Sequence, residues 1–134
     1  RREEALKEKA RAIAGRLNLA RVLDNPAAAL SGGQKKLMEI GRALMADPKL
    51  LILDEPVAGV NPTLSAEIAT HIAHLRDEGM TVLIVEHHMD FVASLCDPVI
   101  VMAEGKPLME GSFDQVANDP RVQEAYMGRR AVHA

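Results

Sequence analysis

With one cysteine, Cys96, the chain has no internal disulfide available to it, which fits a reducing compartment. Nor does any apolar run approach the ~20 residues that a membrane-spanning helix needs, and no secretory leader is visible. Any hold on a membrane is therefore expected to come through a partner rather than by insertion. Positive charge is also short: Lys and Arg total 16 against 19 Asp and Glu, and the basic groupings are interleaved with Glu. A field of that kind does not draw DNA or RNA. Internal repeats, low-complexity segments and coiled-coil heptads are missing too. What remains is an ordinary globular make-up, 48% hydrophobic and 26% charged over 134 residues, which bounds the chain at one domain or less with a core of its own. The chain opens on Arg1 rather than Met, which is compatible with a native start and with a piece of something longer.

The most informative stretch is Leu30 to Pro56, LSGGQKKLMEIGRALMADPKLLILDEP. Ser31 and Gln34 have the spacing of a reciprocal helix cap, so a helix is expected to start there. Gly32 and Gly33 leave the N–H groups of its first turn uncovered, and a helix start of that kind suits a phosphate. Leu37, Ile40, Gly41, Leu44 and Met45 then recur at the offsets of one apolar face, with Lys35, Lys36 and Arg42 off it, and Asp47-Pro48 ends the helix. Leu50 to Leu53 is an unbroken apolar run, the pattern of a strand covered on both faces. Asp54 and Glu55 come next at its carboxyl end, where open α/β sheets bind ligands. Neighbours in an extended chain face opposite ways, so Asp54 could hold Mg²⁺ through water while Glu55 orients or deprotonates an attacking water. The plain alternative is an exposed acidic turn.

Before this stretch, Leu6, Ala10, Ile13 and Leu17 mark an amphipathic helix, and Leu19, Val22 and Leu23 carry apolar character toward Asn25-Pro26. After it, Asn61-Pro62 supplies an N-cap and then a proline at the first helical position. Leu64, Ile68, Ile72 and Leu75 mark that helix's buried face, and Gly79 suits its end. Thr81 to Val85 reads as a second buried strand. Strand, helix and strand of these lengths form a βαβ crossover, so the two strands lie parallel with like ends together. Glu86 and His87 then emerge on the edge that carries Asp54 and Glu55. Further on, Asp90 to Cys96 reads as a short helix, and Glu104-Gly105 as a hairpin turn between Val99–Met102 and Lys106–Met109. Ser112 and Gln115 repeat the cap spacing, and Asp119-Pro120 opens a helix to about Met127, closed by Gly128 and trailed by a frayed tail.

His71 and His74, three apart on one helix, have a metal-compatible spacing but no evident third ligand. The seven methionines read as core filler and Cys96 as a small buried hydrophobe.

LSGGQ at Leu30 to Gln34, with LLILDEP downstream at Leu50 to Pro56, resembles the signature loop and Walker B strand of an ABC-type ATPase. The resemblance implies an α/β fold, the C-terminal part of a P-loop NTPase, with parallel strands, flanking helices, a C-terminal hairpin and short helices. Residues 1–29 would end the helical subdomain and 30–134 would form the C-terminal half of the core. It also implies ATP and Mg²⁺ as cofactors. Leu30, Ser31, Gly32, Gly33 and Gln34 would meet the phosphates held by a second nucleotide-binding domain, Asp54 the Mg²⁺, and Glu55 and His87 would be catalytic. VEHHMD resembles the family's switch loop, although His88 stands where many relatives carry an acid. Val57 to Asn61 occupies the place of the D-loop, with Asn61 where an Asp is usual. Transmembrane permease subunits would be further partners, placing the protein at the cytoplasmic face of a membrane.

A Walker A motif, G-x-x-x-x-G-K-[ST], is not found: the one Gly-Lys pair, Gly105-Lys106, has Pro107 next and Ile100 in place of the first glycine. The resemblance thus covers about half of a full nucleotide-binding domain. The chain alone is expected neither to bind ATP tightly nor to hydrolyse it, and to self-associate or exchange segments through unpaired strand edges. EPVAGVNP, EHHMDFV and the closing NDPRVQEAYMG most resemble the ATPase subunit of branched-chain amino acid importers. The alternatives are a lipopolysaccharide-export ATPase, a DNA-repair or chromosome-organising ABC ATPase, disfavoured by the lack of heptads and basic surface, and a non-catalytic regulatory or assembly module.

Overall fold

The computed structural model describes the backbone of residues 1–132 and the side chains of residues 1–126. It divides into two compact units, Arg1–His88 and Met89 onward.

In the first unit, helix α1 (Arg2–Arg16) leads through two short 3₁₀ turns, Ala20–Val22 and Ala27–Ala29, to helix α2 (Gly32–Leu44). Ile13, Ala14 and Leu17 of the α1 segment and Leu37, Ile40 and Leu44 of α2 are buried. Gly41 permits their close approach, because a Cβ there would stand 3.2 Å from Leu17 Cδ1 and 3.5 Å from Ile13 Cγ2. The α1 stripe is shorter than the sequence pattern suggests. Leu6 is exposed, since the apolar contacts of α1 begin only further along the helix. Exposed ion pairs join Lys9 to Asp47 and Arg16 to Glu78, at the C-terminal ends of α2 and of α3 (Pro62–Asp77). Pairs of this kind orient more than they stabilise.

Strands β1 (Leu50–Asp54) and β2 (Thr81–Val85) pair in parallel, Leu50 opposite Thr81 and Asp54 opposite Val85. The pairing and the like-end arrangement are those expected of the βαβ unit. The expectation of burial on both faces is corrected. Leu51 is buried with Leu53, Val82 and Ile84 beside it half-buried, but Leu50, Ile52, Leu83 and Val85 are each about half exposed or more. No described element of this unit lies over that second face, so an apolar run that reads as doubly covered is covered once. Between the strands, Ile68, Ile72 and Leu75 seat α3. Gly79, at φ +99°, closes the helix in a Schellman arrangement: its N–H donates to Arg76 O at 2.9 Å and that of Met80 to Leu75 O at 3.0 Å.

In the second unit, helix α4 (Met89–Leu95) precedes an antiparallel hairpin of β3 (Val99–Ala103) and β4 (Lys106–Gly111). Glu104 and Gly105 both have positive φ, the mark of a type I′ turn. Val101, Val116 and Val122 form a small core with Val99, Leu108 and Met109, joining the hairpin to α5 (Phe113–Ala117) and α6 (Pro120–Val132). Helix α6 does not stop at Gly128 but runs to Val132. A glycine inside a helix costs about 1 kcal/mol relative to alanine without ending it. Cys96 is half-buried rather than buried. Residues 133 and 134, the end of the expected frayed tail, lie outside the described residues.

Candidate functional site

Two polar groupings belong to the first unit. One is the start of α2. Ser31 Oγ accepts the N–H of Gln34 at 3.2 Å, and Gln34 Oε1 accepts the N–H of Ser31 at 2.9 Å, the reciprocal cap that the spacing implies. The cap uses the N–H groups at its two ends. Those of Gly32 and Gly33 are left without an intrahelical acceptor, and the Ser31 hydroxyl keeps its hydrogen to donate.

The two glycines are not equivalent. Around Gly32 a Cβ would meet nothing within 4 Å, and the residue is exposed. Gly33 is buried, and a Cβ on it would lie within 3.0 Å of three atoms of the Leu64 side chain. The first glycine leaves room in front of the helix start, whereas the second lets α3 pack close behind it. Leu30 is also buried, so only its backbone is available to a ligand. Leu64 is a residue that sequence reasoning assigned only to a packing stripe; no local pattern indicates that it fills the space beside a phosphate-type helix start.

The other grouping sits on the carboxyl rim of β1 and β2. Asp54 ends β1 on the bare face of the sheet. Glu55 continues the ladder with its N–H donating to Val85 O at 2.8 Å, but its own φ of +48° is left-handed. Simple alternation from Asp54 to Glu55 is therefore corrected: the chain leaves extended geometry at Glu55, and a backbone turn sets the direction of its carboxylate. A non-glycine residue pays of order 1 kcal/mol for such a conformation, which the Glu55–Val85 bond and the turn bond from Ala58 N–H to Glu55 O at 3.1 Å hold in place.

His87 stands above these groups with Nδ1 3.5 Å from Glu55 Oε1 and 3.5 Å from Glu86 Oε1. Those separations are longer than a made hydrogen bond but within reach of one, as is common before a ligand tightens a site. Glu55 and His87 are both more than half exposed. Glu86 is not: its side chain is 1% exposed. Its Oε1 accepts the N–H groups of His87 at 3.0 Å and His88 at 3.3 Å, and its Oε2 is buried with no partner among the described residues. His88 is exposed, its ring centroid 6.5 Å from that of His87.

Asn61 Oδ1 accepts the N–H of Leu64 at 2.9 Å, so the side chain caps α3 through its oxygen. His71 and His74 separate, the first buried on the packed face of α3 and the second exposed. Among the described residues no group of three or more His, Cys, Asp or Glu could enclose a metal ion. The donor set at the rim nevertheless fits Mg²⁺, which keeps most of its waters and takes one or two carboxylates together with substrate phosphates. Among the described residues no helix is long and apolar enough to cross a membrane.

The chain resembles known proteins over most of its length. Residues 1–58 match the family model described as ABC transporter, and residues 106–132 that of the branched-chain amino acid ATP-binding cassette transporter. A probable branched-chain amino acid transport ATP-binding protein of Archaeoglobus fulgidus is 46% identical over 126 residues, which are 94% of this chain and 49% of that protein. A lipopolysaccharide export system ATP-binding protein of Haemophilus influenzae is 38% identical over 92% of this chain and 52% of its own length. Among solved structures, the ADP conformation of an ATP-binding cassette of an ABC transporter superposes with a TM-score of 0.87 at 44% identity, over 92% of this chain and 50% of that one. The chain spans about half the length of the curated relatives it matches. In sequence and in fold alike, the chain matches about half of an ATP-binding cassette of an ABC transporter.

Proposed function

We propose that this chain is the signature and Walker B half of an ATP-hydrolysing subunit, residues 1–29 closing its helical subdomain and 30–134 completing its catalytic core. The observation that carries the reading is the convergence of Glu55 and His87, 3.5 Å apart, on the rim that also bears Asp54. Mg²⁺–ATP, when bound, would supply the scissile phosphoryl bond, and the metal would offset the negative charge of the phosphates. Glu55 orients the attacking water and takes its proton, its aim set by the left-handed turn beneath it. His87 donates to the terminal phosphate and holds it over the same carboxylate. Asp54 is the residue that would hold the Mg²⁺.

Ser31, Gly32, Gly33 and Gln34 serve a different nucleotide, held by a second nucleotide-binding domain. The free amides and the Ser31 hydroxyl meet its phosphates only when the pair closes, which couples turnover to movement. Permease subunits receive that movement, and the protein is held peripherally at the cytoplasmic face of the membrane. The likeness to branched-chain amino acid transport proteins makes amino acid import the transport reaction proposed. Other subunits choose the solute.

The test uses a cassette that joins this sequence to a P-loop half. Glu55→Gln should retain ATP binding and lose turnover by at least ~100-fold, in the range of removing a general base. Turnover at the parent rate would remove Glu55 from the mechanism.

A further inference from the structure

Glu86 is out of place by the rules of burial. It comes after β2 on the parity of Val82 and Ile84, the covered side of the sheet, and its side chain is 1% exposed. A carboxylate in that position is costly unless its oxygens are occupied, and no Lys or Arg side chain forms a salt bridge with it among the described residues. The occupants of Oε1 are the two successive backbone N–H groups of His87 and His88. A single oxygen thereby ties down two successive amides of the chain as it leaves the strand. The imidazole of the first of them, His87, stands 3.5 Å from Glu55.

We propose that Glu86 is a positioning residue for the site: it fixes the backbone after β2 so that His87 is delivered to Glu55. The proposal rests on the reading of Glu55 and His87 as catalytic for its consequence in turnover, but not for the anchoring itself. Charge is not the active property. What matters is an acceptor oxygen at the end of a side chain of this length, held on the covered face. Glutamine offers the same oxygen, aspartate falls short by one methylene, and alanine offers none.

Backbone amide hydrogen exchange of the 134-residue chain tests the anchoring without any appeal to activity. Glu86→Ala and Glu86→Asp should speed exchange at the His87 and His88 amides by ~10-fold or more, as expected on losing hydrogen bonds to a carboxylate, while the amides of α3 keep their rates. Glu86→Gln should stay within about 3-fold of the parent at both amides. Unchanged exchange in both Glu86→Ala and Glu86→Asp overturns the proposal, and so does equal acceleration in Glu86→Gln.

The catalytic consequence is read in the joined cassette. Glu86→Ala should lower kcat with little change in KM, and adding it to His87→Ala should slow turnover no further, because the two residues act as one unit. Additive losses overturn the route through His87. Full activity of His87→Ala on its own would instead remove the catalytic reading of that histidine and leave the exchange result standing.

Discussion

Helices α2 and α5 begin with the same device. Ser31 and Gln34 cap the first, Ser112 and Gln115 the second, and the paired distances are identical at 2.9 and 3.2 Å. Yet only one start has the makings of a binding site. After Ser31 come Gly32, with open space in front, and Gly33, seated against Leu64, at the head of a helix of 13 residues. After Ser112 come Phe113 and Asp114, at the head of a helix of 5. The acid there answers the helix dipole from within, and the short helix offers little dipole to begin with. A capping box therefore marks where a helix starts and nothing more. The two residues just past the cap decide whether its remaining N–H groups are offered outward.

The largest contrast should appear when both starts are blocked in the joined cassette. Ser31→Arg places a long cation where a partner's nucleotide must dock, and turnover should fall by ~100-fold or more, the scale of losing a preorganised phosphate-stabilising group. Ser112→Arg should leave steady-state turnover within about 3-fold of the parent and reduce stability by no more than its cap is worth. Equal loss in both would mean that the cap, and not the glycine pair, distinguishes the two helices.

Next in size is the seat between Gly33 and Leu64. Gly33→Ala should destabilise the chain by about 1 to 3 kcal/mol in urea titration, the usual range for overpacking, despite the better helix propensity of alanine. In a Leu64→Ala background the same change should become neutral or stabilising. A penalty of the same size in both backgrounds would place its origin elsewhere in the helix start.

Much of this is legible in the chain because caps are local. Ser-x-x-Gln and Asn-Pro each settle their geometry within four residues, and both capping boxes and the Asn61 cap stand where the spacing puts them. The faces of β1 and β2 are another matter. Leu50–Leu53 carries no mark that distinguishes one covered side from two, since Leu50 and Ile52 are as apolar as Leu51. The turn at Glu55 escapes for the opposite reason: a glutamate has no intrinsic preference for positive φ, and only the surrounding bonds impose it. Glu86 was open to inference, because counting by twos from Val82 and Ile84 puts it on the covered face, but a Glu beside a His at a strand end reads first as solvent-facing. The passage of α6 through Gly128 reflects the same limit, as a glycine suits a helix end without requiring one.

Smaller effects separate the two caps themselves. Ser31→Ala and Ser112→Ala should each cost about 1 kcal/mol by thermal or urea unfolding, the ordinary value of an N-cap, and should match one another. A large excess at Ser31 would show that the first start depends on its cap beyond helix formation.

The smallest effect concerns a third helix start, that of α6, which relies on an acid in place of a serine. Asp119 Oδ1 accepts the N–H of Arg121 at 2.8 Å and its Nε–H at 3.1 Å, and the side-chain bond to Arg121 is the main reason that the Asp119 carboxyl titrates below the usual range. The Arg121 guanidinium is raised in turn. Because the folded value is depressed, the contribution of this cap is present above the ordinary Asp pKa of ~3.9 and is lost as pH falls through the folded value. NMR titration should find the Asp119 carboxyl below that figure, with the Arg121 amide shift tracking it. Asp119→Asn should abolish this pH dependence, and the start of α2, which has no acid in its first turn, should show none.

The left-handed backbone at Glu55 has one more implication, for how any substitution at that position should be interpreted. Since the main chain steers this side chain, a glutamine grafted onto the same bend inherits its bearing, and a loss of rate reports the missing negative charge rather than a misdirected group. Valine or isoleucine would confound the two, because a branched Cβ resists that bend and would swing the rim itself out of line.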